Sequence, residues 1–210
     1  MKAYERLLNY VTVDTPSDPS SQTVPSSKCQ FDLARKLVKE LKELGVKNAQ
    51  VDDKCYVYAS IPATEGYENC KRLGFIAHMD TAPDFNGNGV KPQVIENYDG
   101  EDVVLGNSGR ILKVRDFPEL SNMKGRTLIT TDGTSLLGAD DKAGVAEIMT
   151  LAERLLTENL PHGKICIGFT PDEEIGAGAD HFDVEGFGAD IAYTMDGGMA
   201  VSYTHLRAHE

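Results

Sequence analysis

The chain is short of cations, of cysteine pairs and of long apolar runs. Lys and Arg number 21 against 33 Asp and Glu, a formal net charge of −12. A deficit of this size argues against a nucleic-acid footprint, which needs a basic face to neutralise phosphates. No apolar stretch approaches the ~20 residues of a membrane-spanning helix. The opening MKAYERLLNYVTVDTP carries early acidic residues and no uninterrupted apolar stretch, so it does not read as a signal peptide. The cysteines, Cys29, Cys55, Cys70 and Cys166, stand far apart with no C-x-x-C pair. That excludes a zinc knuckle and a small disulfide framework, and scattered thiols fit a reducing cytoplasm.

What remains is ordinary for a globular protein: 210 residues, 40% hydrophobic and 26% charged. The surplus carboxylates keep such a chain soluble and are available to hold cations.

The periodicity predicts a short helix over Ala3–Tyr10, then a Ser-, Thr- and Pro-rich loop. A second helix is predicted from Gln30 to Leu44, where Leu33, Leu37, Leu41 and Leu44 form one apolar stripe that stops at Gly45. Strands are predicted at Tyr56–Ile61, Leu73–His78, Lys164–Thr170 and Ile191–Met195. Two of these, LGFIAH and KICIGFT, are apolar runs of the kind covered on both faces. Residues 84–135 read as an irregular β-rich insertion, with short pieces at Val103–Leu105, Ile111–Val114 and Thr127–Thr130. A long helix is predicted over Lys142–Asn159. Buried strands alternating with amphipathic helices imply an α/β layered fold with a largely parallel central sheet.

Acidic residues fall at equivalent points of this pattern. His78-Met79-Asp80 follows one strand, Asp172-Glu173-Glu174 another, and Asp196 a third, while Asp140-Asp141 precedes the long helix. In an open α/β sheet, strand C-termini and the following helix starts share the ligand-binding edge. One imidazole and several carboxylates would therefore meet there, and carboxylates converge only around a cation. His78, Asp140, Glu174 and Asp196 form a mixed N and O set suited to Zn²⁺, with Co²⁺ or Mn²⁺ as substitutes. Asp80, two residues from His78, is placed to orient the imidazole. Glu173, next to a candidate ligand, is placed to act as general base.

Each piece alone has a bland explanation. H-x-D after a strand is commonly structural, an E-E pair is commonly solvated, Asp140 suits a helix N-terminus, and Asp196 suits a turn. Their coincidence at four strand or helix ends carries the functional reading. A Mg²⁺-dependent phosphatase is the weaker alternative, because it leaves His78 idle and no Gly-rich phosphate loop is present.

The segments His78–Thr81, Gly138–Gly144, Thr170–Gly176 and Met195–Gly198 together resemble the M20 metallopeptidase family, and the likeness runs over residues 1–198. The resemblance implies a three-layer zinc-exopeptidase-like domain with a mixed, largely parallel sheet. It implies a dizinc aminopeptidase that releases the N-terminal residue of tripeptides. His78 and Asp196 would hold one zinc, Asp140 would bridge two, and Glu174 would hold the second. Glu173 would be the general base, Asp80 would orient His78, and the Asp140–Asp141 peptide would be cis. A dipeptidase, carboxypeptidase or N-acyl amino-acid deacylase of the same family shares these motifs. The partners implied are small peptides, with neither nucleic acid nor membrane, and a homodimeric complete protein.

The family continues into a second domain and returns with a final histidine ligand, whereas this sequence stops at Glu210. The expectation is a catalytic domain incomplete at its C-terminus, inactive by itself, with residues 199–210 a tail unlike the family. His205 and His209 in that tail stand four apart and are read as part of it, not as ligands.

Overall fold

The computed structural model describes residues 1–197. Its helices are α1 (Ala3–Tyr10), α2 (Gln30–Glu43), α3 (Ala139–Thr157) and α4 (Val184–Phe187). Its strands are β1 (Gln50–Val51), β2 (Val57–Ile61), β3 (Leu73–His78), β4 (Pro92–Ile95), β5 (Val103–Leu105), β6 (Arg110–Leu112), β7 (Leu128–Thr131), β8 (Ile165–Thr170) and β9 (Ile191–Thr194). The tail carrying His205 and His209 lies outside the described residues.

Five strands make the central sheet, in the order β1-β2-β8-β3-β9. β8, β3 and β9 run parallel, while β2 pairs antiparallel with both β1 and β8. The sheet is therefore mixed, with a parallel block at the end where the acidic motifs sit and an antiparallel flank on the other side.

Side-chain alternation sorts two faces. Val57, Ala59 and Ile61 of β2 lie in register with Phe169, Ile167 and Ile165 of β8, and all six are buried in the main core. The stripe Leu33, Leu37 and Leu41 of α2 joins that core, as do Val145, Ile148, Met149 and Ala152 of α3. The opposite face is thinner. There Phe182 and Phe187 meet edge to face at 5.0 Å, and Phe182 packs on Tyr56 and Tyr58. Gly74 and Gly168 make this possible, because a Cβ at either position would press on the ring of Phe187. The result is three layers: helices α1 to α3, the sheet, and an aromatic layer ending in α4.

Residues 84–135 form two small antiparallel sheets, β4-β7 and β5-β6, over a core of Tyr98, Val103, Leu105 and Met123. β4 and the two-residue β1 lie outside the strands predicted from sequence.

Candidate metal centre

Parallel pairing brings the chemistry together. β3 and β8 end in register, His78 opposite Thr170, and Met79 N extends the ladder by donating to Thr170 O at 2.9 Å. On the other side Met195 N donates to Ile76 O at 2.7 Å, which carries the ladder beyond β9 toward Asp196. α3 enters between them. Its first residues Asp140 and Asp141 are not helical in φ/ψ, and the Asp140–Asp141 peptide is cis. Gly144 permits the close approach: a Cβ there would collide with Met195 O and with the Asp141 carboxylate.

The side chains then converge. His78 is 2% exposed, and its Nε2 lies 2.9 Å from Asp140 Oδ1 and 3.7 Å from Glu173 Oε2. Its Nδ1 lies 3.1 Å from the Asp80 carbonyl and 3.3 Å from Asp80 Oδ1. Asp80 is fully buried, and its two oxygens accept the backbone N–H groups of Glu173 at 3.0 Å and Glu174 at 3.1 Å. One carboxylate therefore ties the end of β3 to the turn after β8.

Two overlapping ligand sets result. Donor atoms of His78, Asp140 and Glu174 lie within 4.8 Å of one another, and so do those of His78, Asp141 and Asp196. All four sequence-predicted ligands thus fall in one cluster, divided between two sets that share His78. Asp141 is an addition. It is 3% exposed, accepts His78 N at 3.3 Å and Gly144 N at 3.1 Å, and was legible only as half of a D-D pair.

The charges in the cluster are frustrated without a cation. Burial pushes the Asp141 carboxyl up to about 8, opposed by the charge of His78 and reinforced by Asp196. Burial and the neighbouring acids likewise raise Glu173 and Glu174. Burial would lower His78, but its contacts to Asp140 and Asp80 outweigh that and hold the imidazolium up to about 11. Asp80 resists its own burial through His78 and the two amides, and stays below the ordinary carboxylate range. An imidazole and several carboxylates competing for protons in this way are a donor set that a divalent cation fits. The site is open to solvent on one side, because the Asp140 and Glu173 side chains are 63% and 51% exposed. Surface hollows along α2 (Arg35, Val38, Lys42) and in the insertion (Lys91, Gly106, Asp132) share no residue with it.

The fold, a mixed sheet with an acidic edge at its strand ends, is similar to that of solved aminopeptidase and carboxypeptidase structures. An M20 family metallo-carboxypeptidase from Sulfolobus solfataricus superposes with a TM-score of 0.57 over 95% of this chain and 38% of that one, at 16% identity, a likeness of fold alone. A profile described as M42 glutamyl aminopeptidase matches residues 122–210. The aminopeptidase PepT of Bacillus cereus superposes with a TM-score of 0.66 at 26% identity, over 93% of this chain and 43% of that one. Peptidase T of Clostridium perfringens is 57% identical over 202 residues, 94% of this chain and 48% of the relative. The chain is thus similar to peptidase T over nearly its whole length, and it spans about half the length of the curated relatives it matches.

Proposed function

We propose that the protein is a metal-dependent aminopeptidase that removes the N-terminal residue from tripeptides, with residues 1–198 contributing to its catalytic unit. The observation that carries this reading is the convergence of His78, Asp140 and Glu174 donor atoms, with Glu173 3.7 Å from the imidazole. The likeness to peptidase T supports the substrate class. His78, Asp140, Glu174 and Asp196 hold the metal, two Zn²⁺ ions in the complete subunit, with Co²⁺ or Mn²⁺ as substitutes. When bound, such ions supply an acidified water and a polarised peptide carbonyl.

The chain's own residues do the rest. Asp80 fixes the His78 ring through Nδ1, so that Nε2 faces the ligand cluster. Glu173, half exposed and with its carboxylate raised, takes a proton from the attacking water and returns it to the departing amine. The compartment proposed is the cytoplasm; among the described residues no helix is long and apolar enough to cross a membrane.

The test is hydrolysis of free and N-blocked tripeptides, with Zn²⁺ or Co²⁺, by a protein that carries this chain at the full length of its curated relatives. Cleavage of free tripeptides alone, abolished by a chelator, is expected. Preference for blocked peptides would move the activity to a deacylase or carboxypeptidase of the same fold. No cleavage of either would overturn the reading.

A further inference from the structure

Asp172 directly precedes the Glu173–Glu174 pair, and the proposed chemistry assigns it no role. It is 2% exposed, and its backbone sits in the left-handed region at φ 57°, ψ 24°. Asp is among the few non-glycine residues that adopt this conformation readily. Its carboxylate accepts Ser26 N at 2.7 Å, Ser26 Oγ at 2.5 Å and Gln30 Nε2 at 2.7 Å. Gln30 is fully buried and Ser26 nearly so. A buried carboxylate needs such donors to offset its lost hydration.

The donors come from the N-terminal segment, and that segment reaches the other ligand-bearing pieces as well. Thr81 N donates to Thr15 O at 2.9 Å, and Ser17 N to Thr81 O at 3.1 Å, so residues 15–17 run along the end of β3. Lys142 Nζ donates to Val13 O at 2.7 Å, at the start of α3. One strap, residues 13–26, therefore holds the segments that carry His78, Asp140 and Glu174. Asp172 is its anchor at the third. The elbow it makes turns Glu173 N and Glu174 N toward Asp80, and Ala177 N closes the turn on Asp172 O at 3.0 Å.

We propose that Asp172 is a positioning residue for the metal centre: latched by Ser26 and Gln30, it sets the elbow that presents Glu173 and Glu174. The inference rests on the metallopeptidase reading above. A purely structural latch would alter stability alone, so the test reads the metal site directly.

Zn²⁺ affinity of the full chain is measured by competition with a chromophoric chelator, and the visible absorption of bound Co²⁺ reports ligand geometry. Asp172→Asn keeps the shape and the left-handed backbone, but turns an amide toward a backbone donor. It is expected to weaken Zn²⁺ by about tenfold or more and to change the Co²⁺ spectrum. Ser26→Ala removes one donor and is expected to act in the same direction, a few-fold; it carries the test if Asp172→Asn does not fold. Leu41→Ala, in the core stripe of α2, is expected to lower Tm while leaving both metal readouts unchanged. Lowered Tm with unchanged Zn²⁺ affinity and Co²⁺ spectrum in the Asp172 and Ser26 variants would overturn the inference. Failure of the unsubstituted chain to bind Zn²⁺ would overturn the proposed function, and this inference with it.

Discussion

Asp80 carries two tasks at once. It faces His78 Nδ1, and it accepts the amides that fix Glu173 and Glu174. Asp80→Asn turns an amide donor toward at least one of these donors, so Zn²⁺ affinity is expected to fall about 10- to 100-fold in a chelator competition. Unchanged affinity would mean that His78 and the Glu pair are held by other contacts. Glu173 lies outside both ligand sets, so Glu173→Gln separates its role from theirs. In the proposed aminopeptidase at the full length of its relatives, turnover is expected to drop about 10²- to 10⁴-fold with metal content preserved. Loss of metal in step with turnover would make Glu173 a ligand instead of a base. The short spacings of H-x-D and D-E-E made His78, Asp80 and Glu173 legible in the sequence. Asp172 was not legible in the same way, because its partner Ser26 is 146 residues distant and no local pattern joins them.

At the scale of elements, what decides the site is how closely α3 approaches β9. Gly144 marks the contact, and Gly144→Ala is expected to destabilise the fold by about 1–3 kcal/mol in urea denaturation, through overpacking against Met195 O. A neutral substitution would show that the helix start can shift without cost. The entrance to β9 is held by an ion pair: Arg72 Nη2 meets Asp190 Oδ1 at 2.6 Å, and Arg72 N donates to Asp190 Oδ2 at 2.8 Å. These bonds lower the Asp190 carboxyl from 3.8 to about 2. Their stabilisation is present above the unfolded value and is lost as pH falls through the folded one. Asp190→Asn should therefore flatten the acid limb of the stability curve between about pH 4 and 2, and an unchanged slope would contradict the assignment. Periodicity and apolar runs made α2, the regular part of α3, β3 and β8 readable. β1 and β4 were not, since β1 has only two residues and β4 opens on a proline, which leaves too little local pattern for a strand that exists through its partner. The antiparallel placing of β2 beside β8 was also beyond local pattern, because register is set by pairing across the chain.

For the whole molecule, an acid-rich chain with net charge −12 concentrates unusually competitive carboxylates at one sheet edge. A cation bound only by the folded state stabilises it by mass action, about 2.7 kcal/mol at a hundredfold excess over Kd. Zn²⁺ is therefore expected to raise Tm in a concentration-dependent way, and a chelator to reverse the rise. A Tm indifferent to both would mean that the cluster does not bind in the folded state. In the proposed centre, separate strand and helix ends place their donors around His78. The most direct test of that centre is the zinc content of the purified chain after dialysis against micromolar Zn²⁺, beside His78→Ala. At least one tightly held zinc per chain is expected, lost in the variant. No bound zinc, or equal zinc in both proteins, would contradict the proposed centre.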